Sequence, residues 1–85
     1  VARIVEYSSH ALTAMAARDI RAEWVERVLE RPEFMLPDAR QGQRLGAFRR
    51  IEEFGGRWLR VVFERSGDRD RVVTVFFDRN AGRRS

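Results

Sequence analysis

The spacing of apolar residues along the chain changes character about a third of the way in. Residues 3–7 alternate and predict a short first strand. Residues 9–18 are alanine-rich and predict a helix with Leu12, Met15 and Ala16 turned inward, preceded by Ser8 and Ser9, both good helix caps. Asp19-Ile20 interrupts it. Ile20, Trp24, Val25, Val28 and Leu29 then recur at helical spacing, predicting a second helix over about residues 22–31 that Pro32 stops. Its other side, Glu23, Glu26 and Glu30 with Arg27 and Arg31, reads as a solvated surface.

Beyond Pro32 the period becomes two. Residues 34–36 form a short edge-strand candidate closed by Pro37-Asp38, residues 39–44 read as a polar loop, and strands are expected over 45–54, 57–65 and 71–78. Gly55-Gly56 is a strong two-residue hairpin signal, and residues 66–70 a longer turn. A Phe54–Arg57 pair sets Phe48 against Phe63, Arg50 against Val61 and Arg49 against Val62. An Arg65–Arg71 pair sets Phe63 against Val73, Val61 against Val75 and Leu59 against Phe77. One face then carries Phe48, Leu59, Val61, Phe63, Val73, Val75 and Phe77, a core for the helices. The other mixes Arg49, Ile51, Trp58, Arg60, Val62, Val72, Thr74 and Phe76, too apolar a set to be left entirely to water. A one-residue slip or bulge exchanges the roles of Arg49 and Arg50. The expected fold is α+β: two N-terminal helices on one face of a mainly antiparallel sheet, ordered β-α-α-β-β-β. It forms one domain over residues 1–85, with 79–85 as a frayed tail.

Composition narrows the chemistry. The 85 residues, 44% hydrophobic and 11% aromatic, suffice for one modest core. No cysteine is present, which excludes disulfides, thiolate catalysis and cysteine-based zinc sites and is compatible with a cytoplasmic setting. With a single histidine, no metal and no other cofactor is expected. No apolar run approaches the roughly 20 residues that span a bilayer, and the start lacks a signal-peptide core, so no membrane partner is expected. The chain opens on Val1 rather than methionine, which leaves room for sequence upstream. Its net charge is +4, and all 17 basic residues are arginine. Arginine suits phosphate because its planar fork donates two hydrogen bonds at once, so RNA or an acidic protein is the expected partner. The complete absence of lysine also reads as a compositional bias of the source.

Among the candidate functional residues, His10 comes first. It falls in the first turn of the first helix, where free N–H groups favour anions, and Arg18 lies two turns on. A helix start disfavours the imidazolium, leaving a neutral ring better suited to act as a base. The plainer alternatives are that His10 bonds a neighbouring backbone and that Arg18 caps its helix's C-terminal end. Trp58 and Phe76 can stack on bases or pack against a second copy or a partner. Glu52 and Glu53 point to opposite faces of a strand and cannot act as a carboxylate pair.

Ser8, His10, Ala11, Met15, Arg18, Ile20, Val25, Pro32, Asp38, Arg50, Leu59, Val61, Val62, Val73, Thr74 and Val75 occur in an order that resembles the domain-of-unknown-function family numbered 4258. That family usually has Gly before Ile20 and Ser or Thr after it. Asp19 and Arg21 stand there instead, so the second helix loses its usual cap and Asp19 is the candidate substitute. The family is similar in turn to the RelE/BrnT group of small ribonuclease toxins within the barnase–EndoU–colicin–RelE superfamily. The resemblance implies a metal-independent RNA cleavage in which the neighbouring 2′-hydroxyl is the nucleophile. It would make His10 the acid/base group and Arg18 a phosphate clamp, with Thr74 and Arg50 or Arg60 as further anion contacts. Arg49, Arg50, Arg60 and Trp58 are the binding candidates, and an acidic antitoxin-like protein is the implied inhibitor. The competing expectations are a non-catalytic RNA- or protein-binding module and a structural homo-oligomer joined through the mixed sheet face. Thr74 is also an ordinary strand residue by propensity.

Overall fold

The structure, a computed structural model, describes residues 3–38, 43–79 and 81. The chain runs through β1 (Ile4–Tyr7), α1 (Ser9–Ala17), α2 (Ala22–Glu30), β2 (Phe34–Pro37), β3 (Arg44–Ile51), a 3₁₀ turn (Glu52–Phe54), β4 (Arg57–Ser66) and β5 (Arg69–Phe77). The class is α+β, with two helices on a five-stranded sheet of order β1-β5-β4-β3-β2. The expected order needs one correction: four strands follow the helices rather than three, because residues 34–37 pair fully with β3. The sheet is mixed, since β1 runs parallel to β5 while the other neighbours are antiparallel. Residues 39–42 of the expected polar loop, and 80 and 82–85 of the expected tail, lie outside the described residues.

Ser8 starts α1 by accepting the Ala11 N–H at 3.0 Å. The helix lies against β5 on Ala11, Ala14 and Met15, the two alanines allowing close approach, whereas Leu12 and Ala16, expected inward, are exposed. Its C-terminus is a Schellman motif: Ile20 N–H reaches the Met15 carbonyl at 2.9 Å, and both side chains are buried together. Asp19 occupies the left-handed position of that motif, with φ +53°. It therefore does not cap α2, whose N-cap is Arg21 with no side-chain hydrogen bond. The stripe Trp24, Val25, Val28 and Leu29 of α2 is buried as the period predicts.

The two hairpins explain where the expected register fails. Gly55 and Gly56, both at positive φ, do turn the chain, but Glu52–Phe54 coils into a 3₁₀ turn first. Ile51, not Phe54, then pairs with Arg57, and the three-residue shift exchanges the faces of β3. The shift is held by tertiary contacts. The Phe54 ring stacks on Phe77 at 4.6 Å, and Glu53 receives both terminal nitrogens of Arg27 at 2.9 and 2.8 Å. Arg27, on the solvated face of α2 as expected, thus also ties that helix to the 3₁₀ turn through an exposed ion pair. At the second hairpin the turn tightens to Gly67-Asp68, and a bulge opposite Val62 and Phe63 takes up the difference. Val61 consequently faces Val75 and Leu59 faces Phe77 as expected, but Phe63 pairs with Val72 instead of Val73, and Val72 turns to the core.

The helix-covered face buries Ala47, Ile51, Leu59, Val61, Phe63, Val72 and Val75 beneath α1 and α2. Phe48 and Ile51 have exchanged the sides expected for them. At the edge by β1, Asp70 is fully buried and held by Arg65 at 2.8 Å and Arg3 at 3.0 Å, so one carboxylate clamps the parallel strand to the hairpin. Arg65 ionisation is pushed further up by that bond. Tyr7 donates to Glu26 at 3.1 Å, and burial followed by the carboxylate pushes the phenol well above its ordinary range.

Candidate functional site

On the sheet face opposite the helices, alternation along β2, β3, β4 and β5 brings Phe34, Phe48, Trp58 and Phe76 together with Arg50 and Arg60. Phe34 stacks on Phe48 with centroids 4.5 Å apart and meets Trp58 at 5.3 Å. Arg50 lies 5.4 Å from the Trp58 ring centre. Arg60 spans Phe48 at 5.2 Å and Phe76 at 5.4 Å. Phe48 is buried although no helix covers it. Gly46 makes room for this arrangement: a Cβ there would meet Arg60 Nε and Phe48 Cε1 at 3.3 Å each. That Nε is itself buried without a hydrogen-bond partner.

The arginines of this face already have counter-charges. Arg50 meets Glu33 at 3.1 Å, Arg44 meets Glu64 at 3.3 Å, and Arg60 meets Asp78 at 3.6 Å. The Arg50 backbone N–H and then its guanidinium hold the Glu33 carboxyl below the ordinary carboxylate range. Such pairing lowers the charge available to a ligand.

Uncompensated positive charge gathers at the adjoining end of the sheet. Here Arg18 at the C-cap of α1, Arg57 at the start of β4 and Arg79 just past β5 line an open groove of about 470 Å³ with Trp58, Phe77 and Asp78. None of these three arginines makes an ion pair with a described residue. Arg57 rests 5.2 Å from the Phe54 ring centre. Trp58 joins the two regions, lining the groove while touching Phe34 and Arg50 on the open face. A larger hollow of about 730 Å³, beside the α1–α2 turn, sets Asp19, Glu23 and Glu53 against Arg21 alone, a balance that disfavours an anion.

The expected site residues separate accordingly. Arg50, Arg60, Trp58 and Thr74 share the open face, with Thr74 opposite Val62 beside the bulge. Arg49 does not join them. The shift of β3 turns it to the helix side, where it donates to the Arg31 carbonyl at 2.9 Å, at the end of α2. His10 is exposed in the first turn of α1, eight residues and about 12 Å of helix rise from Arg18. No hydrogen bond or ion pair joins its ring to another described residue. The structure therefore brings Arg18 to Trp58 but does not bring His10 to either. Sequence reasoning missed Arg57 and Arg79, although the correctly expected Leu59–Phe77 pairing already placed both at one end of the hairpin.

Among the described residues no group of three His, Asp or Glu side chains is arranged to hold a metal ion, and no helix is long and apolar enough to cross a membrane. No curated protein and no solved structure matches the chain. The profile of one family, described as Domain of unknown function (DUF4258), matches residues 7–77, which include α1, α2 and strands β2 to β5. The chain belongs to the DUF4258 family.

Proposed function

We propose that this domain binds single-stranded RNA, with phosphate held by Arg18, Arg57 and Arg79 and bases stacked on the aromatic face that begins at Trp58. The observation that carries the reading is the position of Trp58, shared between three guanidiniums that make no ion pair with a described residue and an aromatic surface. A single strand presents this pair of features, anionic phosphates alternating with flat π-faces, at spacings a small sheet can span. Kinship with the RelE/BrnT toxins is part of the proposal and is supported by two helices lying on one face of a largely antiparallel sheet. Cleavage is left out of it. An acid/base role for His10 needs that ring beside the phosphate, and α1 holds it at the far end from Arg18.

The test is fluorescence anisotropy with a labelled single-stranded RNA, repeated across salt concentrations. Three phosphate contacts predict a slope of log K against log salt of about −2. Trp58→Ala should weaken binding by roughly tenfold or more through lost stacking. The RNA should emerge intact after incubation with chelator. Absence of salt-dependent binding overturns the proposal, and chelator-resistant cleavage lost in His10→Ala would replace it with the nuclease reading.

A further inference from the structure

We propose that the groove between Arg18, Arg57 and Arg79 receives the terminal phosphomonoester of the strand, so that the protein recognises RNA ends; the inference rests on the RNA-binding reading. The three arginines come from three separate segments, the end of α1, the start of β4 and the second residue past β5, and all of them line one groove. An internal phosphodiester carries one negative charge, whereas a phosphomonoester carries about −1.5 to −2 at neutral pH and offers three acceptor oxygens. The groove opposes its three arginines with one carboxylate, Asp78, which is itself drawn to Arg60 at 3.6 Å. The surplus of two positive charges matches a monoester better than a diester. Arginine forks suit a phosphate bearing three free oxygens, since each can donate two parallel bonds. Trp58 in the wall supplies a surface for the terminal base, and the half-buried Phe34 beside it, backed by Phe48, continues that surface over the sheet.

The experiment compares three short RNAs of one sequence, carrying a 5′-phosphate, a 3′-phosphate or hydroxyls at both ends, with adenosine monophosphate as a competitor. One phosphorylated end should tighten binding about tenfold over the hydroxyl-ended strand. That ratio should fall to near one in Arg18→Ala and in Arg79→Ala, both at exposed positions where folding, checked by circular dichroism, is expected to survive. Equal binding of all three RNAs by the unaltered protein overturns the end-recognition inference while leaving RNA binding standing. No binding of any RNA overturns both. A preference that persists in both arginine variants removes the groove from the explanation. Adenosine monophosphate binding as tightly as the phosphorylated strand overturns the inference in favour of a mononucleotide site.

Discussion

The Ser8 hydroxyl donates to the Val73 carbonyl at 3.0 Å while it accepts the Ala11 N–H at 3.0 Å. One side chain therefore starts α1 and fastens it to the bulge of β5, and the Ser8 N–H adds a bond to the Val72 carbonyl. The bulge is the point at which the sheet regains the register that puts Thr74 and Phe76 on the open face. Ser8→Ala removes the cap and leaves the Val73 carbonyl without this donor. The expected loss is about 1–2 kcal/mol, read as a fall of roughly 4–8 °C in Tm per kcal/mol for a domain of this size.

Asp19 pays for its left-handed backbone with its Cβ. Asp19→Gly should stabilise the domain by about 1 kcal/mol, because glycine adopts the C′ conformation of a Schellman motif without that clash. Arg21→Ser should add a similar amount by giving α2 the side-chain cap it lacks. Urea midpoints would rise for both at unchanged m-value, and a fall for either would contradict the cap assignment.

Low pH should loosen the contact between α2 and the 3₁₀ turn. The bidentate bond from Arg27 first, then a backbone hydrogen bond, lowers the Glu53 pKa from the ordinary 4.5 to about 2. A carboxyl depressed in the folded state contributes stability that is complete above its unfolded pKa and is lost as pH falls through the folded one. The contribution should therefore stand at neutral pH and decline between about 4.5 and 2. Carboxyl-carbon NMR should follow Glu53 through that low titration, and Arg27→Gln should return it to the ordinary range.

Asp70 should be the most damaging position outside the apolar core. It is fully buried and serves Arg3 and Arg65 together, while both arginines keep about a third of their side-chain surface in water. Asp70→Asn leaves two cations without their shared counter-charge at the β1–β5 edge. The expected cost is about 3 kcal/mol, at the lower end for a broken buried pair because the arginines can turn to solvent. Hydrogen exchange should show β1 losing protection first, since its parallel pairing to β5 is what the carboxylate secures.

How far the fold was legible follows from the range of the forces involved. The amphipathic stripe of α2, the Ser8 cap and the Pro32 stop are local signals, and each lies where the pattern puts it. Residues 34–37 looked marginal because a four-residue strand has little pattern of its own; pairing with β3 makes it. The arginine assignment failed at Arg49 because a Gly-Gly pair specifies a turn but not which residues close it. Phe54 reaching Phe77, and Arg27 reaching Glu53, move the closure back to Ile51.

From its residues alone this chain was committed to α+β architecture, to two short helices and to a β hairpin whose Leu59 and Phe77 meet, since periodicity and turn chemistry act over a few residues. Which arginines meet an aromatic face, and which gather in a groove at the end of the sheet, was decided only in three dimensions. An odd shift of register inverts every side chain on a strand, and the contacts that set it come from residues far apart in the sequence.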